Sequence, residues 1–393
     1  MMGKADERSG SPDPHEPPHD RMWQIAAARA DARFDGFKQR VLEKFGVDRP
    51  GYIAAFRGFA DASACEVMGR VLADPPPALP DSAGTRWKNL REQWARFESD
   101  EVPGVTVEVT CNGYTQRVVT DAEGYYRARI PMAPPTTRSL WLHAEASIPG
   151  SELSARHEIL AVSDEAQFGI ISDIDDTVLD SQVVDWKSTA KLTFLHNVRT
   201  RKPLPGVAQL YRSLQSGHGE VPINPLFYVS SSPWNLYDLL ESFLSINEIP
   251  PGPILLRDLG IESEYFIKSK GHGHKLDNVR KLFGLYPTLG WILVGDSGQA
   301  DAEIYTSAAR EFPGRVLAIY IRDVDPDADS VFDRGVDDVF AKTVAGDVPM
   351  LRVRDSDAIA QHLRAIGLLP AIEVAAVKKD VARDEKAPPQ VAS

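Results

Sequence analysis

Three aspartates follow a short apolar run in the segment FGIISDIDDTVLDS, residues 168 to 181: Asp173, Asp175 and Asp176, with Thr177 next. Phe168, Ile170 and Ile171 read as a buried strand. Carboxylates at the end of such a strand are costly to bury unless a cation or hydrogen-bond donors compensate them. The two-residue period of a strand turns Asp173 and Asp175 to the same side. In open α/β sheets ligands bind beyond the carboxyl ends of the strands, so the pattern suits a hard cation held by oxygen. Paired aspartates also serve as turn or cap residues, and a second carboxylate group downstream argues against that simpler role. In WILVGDSGQADAEIY another apolar run ends in Gly295 and Asp296, and Asp301 stands where the next helix begins. Asp296 repeats the placement of Asp173. Asp301 is either a helix N-cap or a further oxygen ligand. Gly295 and Gly298 permit a tight backbone turn near a ligand.

Two further segments supply groups for an anion. After the apolar run LFYV comes Ser230-Ser231-Ser232-Pro233. Ser232 before Pro233 reads as an N-cap followed by proline at the first helical position. Ser230, nearer the strand end, has a hydroxyl that can hold a phosphate oxygen together with backbone N–H groups. In GHGHKLDNVRKLF, Lys275 opens a helix, where a cation opposes the helix dipole. An anion bound at that end would give it a reason. His272 and His274 flank a glycine-rich stretch with no third histidine or cysteine to complete a metal set, and read as a flexible loop.

The elements that must position these groups fall into an ordered series. Residues 1–20 read as a disordered tail. Over 21–48 Trp23, Ala27, Ala30, Phe34, Phe37, Val41 and Phe45 recur at helical spacing on a basic amphipathic helix, which either packs on its neighbour or rests on a membrane. Residues 51–165 look all-β and sandwich-like, with VTVEVT and LWLHAEASI alternating in character. Asp121 to Gly124 forms a hairpin loop, and a helix-like insert spans about 85–101. Residues 166–370 alternate strands (FGII, LFYV, ILL, WILV, VLAIYI) with helices, which predicts a mainly parallel sheet with right-handed crossovers. The last of these helices, about 356–366, starts at a Ser/Asp cap and stops at Gly367. Residues 371–393 are charged and read as a second tail.

Bulk properties narrow the function. The chain has 393 residues, 43% hydrophobic and 25% charged, with net charge −12, which is ordinary for a globular protein and gives no general attraction to nucleic acid. Cys65 and Cys111 are its two cysteines, neither a disulfide framework nor a zinc set, and they suit a reducing compartment. No G-x-x-x-x-G-K-[ST] is present, which sets aside P-loop nucleotide chemistry. The polar, proline-rich first twenty residues hold no signal-like apolar core, and no window approaches a membrane span. The expected location is the cytoplasm, with peripheral membrane contact open.

The aspartate, serine, lysine and aspartate segments, in that order over about 168–324, resemble the haloacid dehalogenase superfamily. In finer phrasing, ISDIDDTVLDS, FYVSSSPWNLY, the HK before a helix and LVGDSGQADAEIY resemble the conserved catalytic domain of the actin-patch phosphatidate phosphatase family. A β-rich region ahead of the catalytic domain also matches the layout of its bacterial members. The resemblance implies a Rossmann-like parallel sheet and a Mg2+-dependent phosphomonoesterase acting through an aspartyl-phosphate, with phosphatidate as the lipid substrate. Asp173 would be the nucleophile and Asp175 the general acid and base. Ser230, Lys275 and Thr177 would bind the phosphoryl group. Asp173, the backbone carbonyl of Asp175, Asp296 and Asp301 would serve the Mg2+. Lys275 is chosen over Lys268 and Lys270 because it opens the helix leading to the GDSGQAD strand. No large cap domain fits between the motifs, so bulky substrates would be admitted. The segment 178–205 mixes Lys187, Lys191, Arg199, Arg201 and Lys202 with Trp186, Leu192, Phe194 and Leu195, which suits either an anionic membrane or a sheet-packed helix. The alternatives are a phosphatase for a soluble or macromolecular ester, and an interaction protein whose β region binds an unknown protein partner.

Overall fold

The structure is a computed structural model and describes residues 50–74, 101–133, 139–174, 204–219, 221–257, 273–297, 300–323 and 348–386. The expected N-terminal tail and helix, the insert short of Glu101, Asp175 to Thr177, the segment 180–203, Lys268, Lys270 and His272 lie outside the described residues.

The first half is built of strands. In chain order they are β1 Tyr52–Ala55, β2 Gly58–Ala60, β3 Ala64–Leu72, β4 Thr106–Cys111, β5 Tyr114–Val119, β6 Tyr125–Pro131, β7 Trp141–Ser147 and β8 Ser154–Ala161. They run in the order β1-β3-β2-β8-β7-β4-β5, with β6 on β3. Every pairing is antiparallel except that of β2 with β8. The alternation read in the sequence sends Val107, Val109, Ala144 and Ala146 into the core, as a half-buried strand requires. The hairpin expectation at Asp121 to Gly124 needs correction. The turn is present, its Asp121 side chain accepting from the N–H groups of Glu123 and Tyr125, with Gly124 at φ 78°. The strands it joins, however, pair with different neighbours, β5 with β4 and β6 with β3.

The second half is mixed α/β. Strands β9 Gly169–Asp173, β10 Leu226–Pro233, β11 Ile254–Arg257, β12 Trp291–Asp296, β13 Val316–Arg322 and β14 Met350–Val353 form a sheet in the order β11-β10-β9-β12-β13-β14. All its pairings are parallel. The helices are α1 Val207–Ser216, α2 Tyr237–Ile246, α3 Gly273–Leu285, α4 Asp301–Glu311, α5 Ser356–Ala365 and α6 Ala371–Lys386. Alternate strand residues face opposite ways. Ile170, Tyr228, Ile292 and Tyr320 join one core with α1, α2, α5 and α6. Ile171, Phe227, Leu293 and Ile319 join the other with α3 and α4. A sheet covered on both faces explains why its strands read as unbroken apolar runs. Trp291 lies so close to β9 that a Cβ at Gly169 would fall 2.4 Å from its ring.

Two expectations fail here. Residues 371–386 are no tail: α6 buries Val374, Val377 and Val381, and its Asp384 accepts from the Gly206 N–H at 2.8 Å. Ser232 is not an N-cap, because β10 continues through Pro233. A 3-10 turn, Trp234–Leu236, then leads into α2, and neither carries a capping side chain. The cap of α5 is supplied by Asp355, which accepts from the Ala358 N–H.

Candidate active site

β9 and β12 end beside β10 at the centre of the sheet, and the candidate residues gather at that end. Asp173 is the last residue of β9 and Asp296 the last of β12. Val229, which precedes Ser230, lies opposite Asp173 in register. Parallel pairing thus brings together residues more than a hundred positions apart. Two helices that begin at this end add the rest. Lys275 comes from the first turn of α3, and Asp301 is the first residue of α4.

The geometry is tight and almost dry. Asp173, Ser230, Lys275, Asp296 and Asp301 are between 0 and 3% exposed. Lys275 Nζ stands 2.7 Å from Asp173 Oδ1 and 3.0 Å from Asp301 Oδ1. Asp301 Oδ2 accepts from the Asp296 N–H at 3.3 Å. The even choice left at Asp301 resolves against a cap: Ala300 holds the N-cap position, without a side-chain bond. The anions beside the helix start at Lys275 are these two carboxylates. Gly295 is required by the same crowding, since a Cβ there would lie 2.6 Å from Asp301 Oδ2.

Ser230 Oγ accepts from the Ser232 N–H at 2.9 Å. The Ser230 carbonyl meets His274 Nε2 at 3.2 Å, so His274 ties α3 to the end of β10, where the sequence suggested a loose loop. Its position next to Lys275 in the first helical turn was the available signal. Two buried hydroxyls had no sequence signal. Ser172 Oγ donates to the Asp173 carbonyl at 2.8 Å and meets Tyr211 Oη at 2.6 Å. Tyr305 Oη donates to the Val294 carbonyl at 3.1 Å.

Three carboxylates against one ammonium leave two negative charges among these four groups. Burial, and then the charge of Asp173, push the Asp301 carboxyl up to about 7, with Lys275 opposing. Asp173, Asp296 and Asp301 can each offer an oxygen within 4.8 Å of the others. An all-oxygen set carrying this excess charge fits a hard divalent cation such as Mg2+ and lacks the nitrogen and sulfur donors typical of zinc. Chemically, the arrangement offers oxygen ligands for a cation beside a buried ammonium. Asp175 and Thr177 lie outside the described residues.

Residues 168–323 match the family described as phosphatidate phosphatase APP1, catalytic domain. The chain is similar to phosphatidate phosphatase APP1 of Saccharomyces cerevisiae, 37% identical over 155 residues, which is 39% of this chain and 25% of that protein. It is also similar to an uncharacterized protein of Schizosaccharomyces pombe, 29% identical over 244 residues, 58% of this chain and 39% of that one. The chain therefore spans a quarter to two fifths of the length of these relatives. Among solved structures, a ferredoxin–NADP+ reductase from Plasmodium falciparum aligns over 69% of this chain and 96% of its own at 7% identity, with a TM-score of 0.16, too low to indicate a shared fold.

Proposed function

We propose, from the premise that residues 168–323 belong to the phosphatidate phosphatase catalytic-domain family, that this protein is a Mg2+-dependent phosphoric monoester hydrolase acting on phosphatidate. The same proposal reads the parallel sheet as haloacid dehalogenase-like. The observation that carries the chemistry is the convergence of Asp173, Asp296 and Asp301 with Lys275 at the carboxyl end of the central strand.

In this reading Asp173 attacks phosphorus and the ester oxygen leaves as the alcohol, giving an aspartyl-phosphate. Asp175 delivers the proton to that oxygen and then takes one from the water that releases phosphate. Lys275 neutralises Asp173 at rest and holds phosphoryl oxygens during transfer, which supports its choice over Lys268 and Lys270. Ser230 and Thr177 hold the remaining oxygens. Asp173, Asp296 and Asp301, with the backbone carbonyl of Asp175, would hold Mg2+, which when bound offsets the charge of the phosphoryl group. No helix among the described residues is long and apolar enough to cross a membrane.

The test is phosphate release from phosphatidate in mixed micelles and from soluble monoesters, with Mg2+, with chelator, and with Asp173→Asn. The expected result is Mg2+-dependent release that prefers the micelle and falls about 10^4-fold or more in the variant. Release confined to soluble esters removes phosphatidate and keeps the chemistry. Release untouched by Asp173→Asn ends the nucleophile assignment.

A further inference from the structure

Ser230 lies on β10 where that strand's pairing with β11 loses its regularity. Register between β10 and β11 is regular to Val229 and shifts before Pro233. The 3-10 turn and α2 beyond it have no capping side chains. Just beyond it, residues 234–241 pack on the connection between β1 and β2. Phe56 stacks on Tyr237 at 4.1 Å and on Trp234 at 5.7 Å. The Arg57 N–H donates to Tyr237 Oη at 2.7 Å. The Arg57 guanidinium bridges Glu241 on α2 and Glu158 on β8. Arg127 of β6 lies over the Trp234 ring at 5.8 Å. The brace is anchored in turn, because the Phe56 carbonyl meets His157 Nδ1 at 2.9 Å and His157 Nε2 meets Tyr126 Oη at 2.8 Å, deep in the β core.

We propose that Phe56 and Arg57 are positioning residues for Ser230, so that the β-rich region serves catalysis by fixing the exit of β10. This rests on the reading of Ser230 as a phosphoryl contact. Two stacked rings and a guanidinium shared by two carboxylates fix Trp234, Tyr237 and Glu241, and with them the direction in which the chain leaves Ser230. A misplacement of about 1 Å in a group that orients substrate can cost about 100-fold in rate.

The test uses the full chain with Arg57→Ala, Glu241→Gln, Arg57→Lys and, for comparison, Lys281→Ala, which removes an exposed ion pair to Glu66 elsewhere on the β-rich region. Backbone hydrogen exchange over residues 230–241 is read together with kcat and KM for phosphate release. Arg57→Ala and Glu241→Gln are expected to speed exchange there about tenfold and to lower kcat about tenfold. Arg57→Lys should recover part of both, and Lys281→Ala should change neither by more than about twofold. Unchanged exchange over 230–241 in both Arg57→Ala and Glu241→Gln, or kcat and KM within about twofold of the wild type, would overturn the proposal. If the wild type releases no phosphate from any ester, exchange alone decides whether Arg57 positions the turn, and the phosphatase reading fails separately.

Discussion

Both halves of the molecule bury titratable groups, and they treat them in opposite ways. In the β-rich region His157 is fully buried, with one ring nitrogen on Tyr126 and the other on the Phe56 carbonyl. Arg70 is shared between Glu101 and the Glu123 carbonyl. These groups are neutral or locally balanced. At the end of the parallel sheet three aspartates converge, and one lysine pairs with two of them, so their mutual repulsion and burial are only partly compensated among the four. A fold that needed only stability gains little from such a cluster, since apolar residues of similar volume often do as well or better. The contrast separates buried polarity that completes a fold from a buried charge cluster that packing alone does not explain, which is what the proposed chemistry needs.

Four kinds of change sharpen the comparison, from the largest expected effect down. Lys275→Met leaves two buried carboxylates without their cation and should cost about 3–5 kcal/mol of unfolding free energy, measured by denaturant titration. Added Mg2+ should return part of that loss, while it does nothing for equal destabilisation made in the β region.

The two regions should also respond to pH with opposite signs. Burial lowers His157 from 6.5 to about 4, the Phe56 carbonyl opposing. Its contribution is therefore present above 6.5 and lost as pH falls toward 4, about 3 kcal/mol in all. Asp301 is raised from 3.8 to about 7, so its contribution is present below 3.8 and lost as pH rises toward 7. Denaturation midpoints between about pH 4 and 8 should lose the acid-side fall in His157→Gln and the neutral-side fall in Asp301→Asn.

Glycine replacements come next. A Cβ at Gly295 meets Asp301 and Tyr305, and one at Gly69 meets the Tyr126 hydroxyl at 2.4 Å. Each alanine should cost about 1–3 kcal/mol, yet only Gly295→Ala should raise the Mg2+ concentration needed for half-maximal phosphate release. Least of all, Arg129→Ala removes ion pairs to Asp61 and Glu66 at a 37% exposed side chain and should change stability by less than about 1 kcal/mol. A larger loss would show that the β region also depends on a charged cluster.

The same contrast explains what could be read from the sequence. FGII, LFYV, WILV and VLAIYI were legible because strands covered on both faces carry no polar interruptions. β14 was missed: four residues at a sheet edge, with Arg352 among them, give too short a pattern. β1, also four residues, and β2, three, alternate poorly. In α6 the spacing of Val374, Val377 and Val381 was visible, but the surrounding charge suggested a tail. The Ser232 cap failed because its dipeptide signal is local, while pairing with β11 carries the strand on to Pro233. At the site, Asp173 and Asp296 were legible by their place after apolar runs, and Asp301 by its place at the start of a helix. That Lys275 lies against two of them, and that His274 reaches β10, depends on how α3 docks, which no local pattern encodes.

The most direct test of the central claim is chemical trapping at Asp173. The protein would be mixed with phosphatidate micelles and Mg2+, quenched in turnover and treated with borohydride, which reduces an acyl phosphate to the alcohol. Peptide mass spectrometry should then find homoserine in place of Asp173, dependent on substrate and on Mg2+. Turnover without that product, or with phosphate carried on a different side chain, would contradict the account.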